Sequence, residues 1–100
     1  TQHFKSLSQR LSWEFKPPEY LVNRIGYRML RSRNENDQSQ ALSFFKLNTE
    51  NFPSSFNAYD SLGEAHEVLG DTENAINNYE KSLDLNPGNE QTIMKIKSLK

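Results

Sequence analysis

His66 and Glu67 stand together in A-H-E-V-L-G-D, residues 65–71. They open like H-E-x-x-H, the pattern in which two imidazoles one helical turn apart hold zinc and the glutamate serves as general base. The position that should carry the second imidazole is Gly70, and the other histidine, His3, is remote in sequence. A metal site is therefore not expected. The chain has no cysteine, hence no thiolate nucleophile or zinc ligand. It also lacks a G-x-S-x-G elbow, a G-x-x-x-x-G-K-[ST] loop and a glycine-rich dinucleotide loop. Glu64 and Glu67 fall on one exposed helix, with no enclosing pocket to split their proton affinities. The sequence thus assigns no catalytic, cofactor-binding or metal residue. It reads His66 as a hydrogen-bonded packing histidine and Glu67 as a surface acid.

Gly70 is the kind of residue a helix needs to stop and turn, so the stretch reads as architecture. Phe56, Tyr59, Leu62, Gly63, His66 and Leu69 gather on one side of a helix, and Ala75, Ile76, Tyr79 and Leu83 do so on the next. Gly70 ends the first as a left-handed cap, Asp71 or Thr72 starts the second, and Ser54 or Ser55 starts the helix at 56. The pattern then recurs. Ala41, Leu42, Phe45 and Pro53 align with Ala75, Ile76, Tyr79 and Pro87 at an offset of 34. Val22, Ile25 and Gly26 align with Tyr59, Leu62 and Gly63 at 37, which places three extra residues in the first copy's internal turn, within residues 31–40. Helices are predicted near 2–12, 18–32, 37–51, 55–69, 72–85 and 89–99, with Gly63 and Ala75 small where two helices cross.

Composition agrees with a thin, layered fold. One hundred residues suit a single domain, and only 34% are hydrophobic, so apolar surface must be placed economically. Twelve basic and 13 acidic residues leave a net charge of -1, which argues against nucleic acid or an anionic membrane as partner. No apolar run approaches the roughly 18 residues of a spanning helix, and no secretory leader is recognisable. The opening T-Q-H-F, without an initiator methionine, reads as a piece of a longer chain.

Tyr59, Leu62, Gly63, Gly70-Asp71, Ala75, Tyr79 and Asn86-Pro87, with their weaker counterparts 34 to 37 residues earlier, resemble the tetratricopeptide repeat. The resemblance implies an all-α fold of antiparallel helix-hairpin repeats, an α-α superhelix, with a degenerate repeat over 19–55 and a second over 56–89. An N-terminal helix and Pro-Pro linker (1–18) and a C-terminal capping helix (90–100) flank them. It also implies a protein-binding role. In stacked helix pairs the first helix of each lines the concave side. The expected peptide groove is then Tyr20, Asn23, Tyr27 and Arg31 from the first repeat, and Asn57, Asp60, Glu64 and Glu67 from the second, the alternative being that the chain's own N-terminal helix covers Tyr20 and Tyr27 and that the acidic stripe is a solvated face. An aromatic half with a cation and an acidic half suit a peptide carrying a basic residue beside an apolar anchor. The family's two-carboxylate clamp for chaperone tails is not expected, because Tyr27 and Glu64 follow the two glycines where the clamp has Asn, and Asp60 and Glu64 would repel a carboxylate.

The two ends add further expectations. Ile93, Met94, Ile96 and Leu99 alternate with lysines, as suits a capping helix with a polar outer side. Phe4, Leu7 and Leu11 form one helical stripe, followed by Trp13 and Phe15, a segment that could mediate self-association. The stretch from His3 through Pro53, notably S-W-E-F-K-P-P-E-Y-L-V-N-R-I-G-Y, resembles the C-terminal extension of bacterial esterases of the α/β-hydrolase class. That resemblance implies a bacterial hydrolase as parent, its catalytic residues upstream, and the parent domain as a second possible partner, with dimerising that enzyme or shaping its active-site entrance as the alternative roles. Its compartment, cytoplasmic or periplasmic, stays open.

Overall fold

The computed structural model describes residues 18–100. The helix expected near 2–12 and the apolar residues Phe4, Leu7, Leu11, Trp13 and Phe15 lie outside them. The described residues form five helices and no strand: α1 (Glu19–Leu30), α2 (Glu35–Asn51), α3 (Phe56–Val68), α4 (Thr72–Leu85) and α5 (Glu90–Leu99). α1 pairs with α2 and α3 with α4, each as an antiparallel hairpin, and α5 closes the array against α4. Side-chain bonds also join α1 to α3 and α3 to α5. The result is two layers, α1, α3 and α5 in one, α2 and α4 in the other.

Each boundary has a local cause. Pro18 precedes α1, where its missing N–H costs nothing, and its carbonyl receives the amides of Leu21 and Val22. Ser55 caps α3 by accepting the Ala58 amide, and Asp71 caps α4 by accepting that of Asn74. Gly70 has φ +82, the left-handed conformation its position in the turn requires, and the Asp71 amide returns to the His66 carbonyl at 2.8 Å. The turns after the two prolines close alike: Ser55 N–H bonds the Phe52 carbonyl, and Asn89 N–H bonds that of Asn86.

The three extra residues of the first copy do not enlarge its turn as expected. The turn, residues 31–34, is one residue longer than 69–71, and α2 instead begins six residues before Ala41 where α4 begins three before Ala75. Asn34 supplies the reason. Its side chain accepts the Asn36 amide at 2.8 Å, and Glu35 and Asp37 place negative charge on the new helix start.

Packing repeats with the sequence. Phe45 of α2 and Tyr79 of α4 are both fully buried. Each presses its ring on a glycine: a Cβ on Gly26 would lie 2.5 Å from Phe45 Cζ, and one on Gly63 would lie 2.6 Å from Tyr79 Cε1. Glycine is thus required for the ring-to-backbone contact within each hairpin. Phe45 joins Leu30, Ala41, Leu62 and Ala65 in one apolar cluster, and Tyr79 joins Ala75 and Ile96 in the next. Burying such a side chain contributes about 1.5–3 kcal/mol.

Candidate peptide-binding face

The layer of α1, α3 and α5 carries the eight residues expected to form the groove, and the structure sorts them into three groups. Tyr20, Arg31, Asn57 and Glu67 are exposed, Tyr20 to 71%. Asn23 and Tyr27 are half-buried and serve packing. Tyr27 lies edge-on to Phe45, with ring centroids 5.1 Å apart, and donates its hydroxyl to Ser61 Oγ of α3 at 3.0 Å. Burial, partly offset by that hydrogen bond, pushes its phenol up to about 12. Asn23 Oδ1 accepts a long 3.5 Å bond from the amide of the buried Asn48, whose own Oδ1 has no partner among the described residues.

Asp60 and Glu64 form the third group, and α5 covers them. Lys95 Nζ donates to Glu64 Oε1 at 2.8 Å and to Asp60 Oδ2 at 3.3 Å, while Thr92 Oγ1 donates to Asp60 Oδ1 at 2.8 Å. The same ammonium stands 5.3 Å from the centre of the Tyr79 ring. Burial alone would lower the Lys95 pKa, but the bonds and charges of Glu64 and Asp60 outweigh it and hold the group above its ordinary value. The cation that the acidic stripe was expected to draw from a partner is therefore supplied, at Asp60 and Glu64, by the chain itself. Sequence reasoning missed this clasp because its partners lie 31 to 35 residues apart on different helices. The available signal was Lys95 interleaved with the apolar Ile93, Met94, Ile96 and Leu99 of the capping helix.

Glu67 has more to do than a surface acid. Its Oε1 accepts the Tyr79 hydroxyl at 2.8 Å, and burial together with this bond raises the Tyr79 pKa. Glu64, Glu67, Val68, Tyr79 and Lys95 line an open depression of about 250 Å³. Val68 is half-exposed at its edge, so aliphatic and acidic surface adjoin there.

His66 is half-buried on α3, as expected of a packing residue, but its imidazole makes no hydrogen bond among the described residues. Asp71 Oδ2 is 3.6 Å from Nδ1, too long for one. Burial lowers the His66 pKa, with the Asp71 charge opposing. Among the described residues, no three His, Cys, Asp or Glu side chains converge to hold a metal ion, and no helix is long and apolar enough to cross a membrane.

No curated protein compared with the chain matches it. Residues 56–89, which hold α3, α4 and the turn into α5, match the family model described as Tetratricopeptide repeat, and they lie within an all-α array of helix hairpins consistent with that repeat.

Proposed function

We infer that the chain is a protein-interaction module whose α1, α3 and α5 face takes an extended peptide bearing a basic residue next to an apolar one. Repeats of this family are generally protein-interaction scaffolds. The observation that carries the finer reading is the depression of Glu64, Glu67, Val68, Tyr79 and Lys95. A lysine or arginine entering it lays its aliphatic stem on Val68 and brings its charge to Glu67. Tyr20 and Asn57, exposed on the same layer, extend the contact along the peptide, whereas Arg31 lines the outward side of α1. Asp60 and Glu64 act at one remove, by fixing Lys95 and the floor of the depression.

Selection of 12-residue peptides from a displayed library (~10 residues suffice to cross the layer at about 3.3 Å each) tests this on the full 100-residue chain. Glu67→Gln keeps an acceptor for Tyr79 but removes the charge, and Val68→Ser removes the apolar edge. Selected peptides should carry Lys or Arg beside an apolar residue and should bind the double variant about tenfold more weakly, about 1.4 kcal/mol. Peptides without a basic residue, or equal binding to the variant, would overturn the reading.

The resemblance of residues 3–53 to the extension of bacterial esterases makes the parent a hydrolase in this reading, with the module docking that enzyme or recruiting a peptide to it. The coding sequence upstream of Thr1 tests that part separately: a G-x-S-x-G followed by a histidine supports it, and an unrelated domain overturns it. Self-association through Phe4, Leu7, Leu11, Trp13 and Phe15 is the competing use of the module, and light scattering that finds a strict monomer removes it.

A further inference from the structure

The outward side of α1 is a second surface with a chemistry of its own. Leu21, Arg24, Ile25, Arg28 and Arg31 line an open hollow of about 490 Å³ there. Leu21 and Ile25 are more than a third exposed, and none of the three arginines has a carboxylate partner among the described residues.

The repeat register says what shape fits this surface. An offset of 37 carries Leu21, Arg24, Ile25 and Arg28 onto Ala58, Ser61, Leu62 and Ala65 of α3. All four of those are buried, and Leu62 and Ala65 pack in one cluster with Ala41 and Phe45 of α2. The face that α3 covers with a neighbouring helix is therefore turned outward on α1. Its small residues are replaced by arginines, so an apolar helix could not close on it without burying unpaired guanidinium groups. Arg24, Arg28 and Arg31 follow one another at i, i+4 and i+7, a row about 10 Å long. Guanidinium forks pair in bidentate fashion with carboxylates and with phosphates.

We propose that this face of α1 docks an acidic amphipathic helix of a protein partner. The helix presents carboxylates spaced i, i+3 or i+4, and i+7 to the arginine row and apolar side chains to Leu21 and Ile25. The two aliphatic residues that share the hollow with the cations favour a helix over a nucleic acid, whose phosphates would leave them uncovered. This surface is distinct from the α1, α3 and α5 face, and its test does not depend on that one.

The probe is a fluorescent helical peptide of about 15 residues, long enough to be helical in part, with glutamate at those spacings and leucine beside them, compared with its glutamine counterpart. Anisotropy titration of the full chain at low ionic strength should show the glutamate peptide binding about tenfold tighter or more than the glutamine one. Arg24→Glu/Arg28→Glu should abolish the difference. The milder Arg24→Gln/Arg28→Gln, checked by circular dichroism, should reduce it while leaving the helices intact. Equal affinity for the two peptides, or no effect of the arginine substitutions, overturns the proposal. So does arginine-dependent binding of single-stranded RNA or anionic vesicles without binding of the glutamate peptide. Trp13, the single tryptophan, reports another occupant. If its emission shifts on Leu21→Ser/Ile25→Ser without peptide, the chain's own N-terminal segment sits on the face and the proposal fails. It fails also if a dimer of the chain dissociates on the same substitutions.

Discussion

Lys95 Nζ of α5 lies 2.8 Å from Glu64 Oε1 of α3, and through this contact and its bond to Asp60 the last helix is clasped to the middle of the array. Lys95→Ala should destabilise the chain by about 1 kcal/mol, because partial exposure and solvent screening keep the bridge well below a fully buried pair. A double-mutant cycle with Glu64→Gln measures the coupling. The Lys95 pKa is raised, so its stabilising contribution is complete below the unfolded lysine pKa of about 10.4 and is lost as the pH rises through the higher folded value. Alkaline melting should therefore separate wild type from Lys95→Ala less and less as that range is crossed.

Gly63→Ala and Gly26→Ala should each lower stability by about 1–3 kcal/mol, although alanine is the better helix former by about 1 kcal/mol. The added methyl would meet the buried ring of Tyr79 or Phe45 at 2.5–2.6 Å, and neither ring has room to retreat. Gly88→Ala is the control, since nothing lies within 4 Å of its Cβ position. Thermal melts of the three variants check the ordering.

Those glycines also show how far the sequence reaches. The repeated Gly, Ala, aromatic and Pro positions announced helices, hairpins and their order, because each residue type answers a local demand: a positive φ at Gly70, a cap at Ser55 or Asp71, a ring-to-backbone contact at Gly63. Helix extension from Asn34 was not anticipated, because an insertion of polar residues looks alike whether it enlarges a turn or adds a helical turn. Pattern reasoning also put Asn23, Tyr27, Asp60 and Glu64 on an open stripe. It took account of one helix at a time, whereas their exposure is decided by neighbours: Ser61 of α3 for Tyr27, and Thr92 and Lys95 of α5 for the two acids.

His66 should make the fold mildly acid-sensitive. Its pKa is lowered by burial, so the unfolded chain takes the proton more readily than the folded one. Stability is then complete above the unfolded histidine pKa of about 6.5 and declines as the pH falls from there through the folded value. His66→Phe keeps a ring at this position without its titrating nitrogens, and should remove the slope of melting temperature against pH in that window. An unchanged slope would assign it to other groups.

Asn48 is fully buried with Oδ1 unpaired among the described residues, whereas Ser82, at the matching position of the second hairpin, donates to the Phe56 carbonyl at 3.0 Å. An unsatisfied buried polar atom costs about 1–3 kcal/mol, which offsets the packing lost on truncation. Asn48→Ala should thus be neutral or stabilising in urea melts, unlike most buried substitutions. Asn23→Ala alone should destabilise, by removing the one side-chain bond that Asn48 makes among the described residues.

Chemical-shift mapping tests the binding account most directly. A selected basic peptide, titrated into the uniformly ¹⁵N-labelled chain, should shift the amides of Tyr20, Asn57, Glu67 and Val68 and leave the exposed sides of α2 and α4 unmoved. Shifts confined to α2 and α4 would contradict the assignment of the binding face to the α1, α3 and α5 layer.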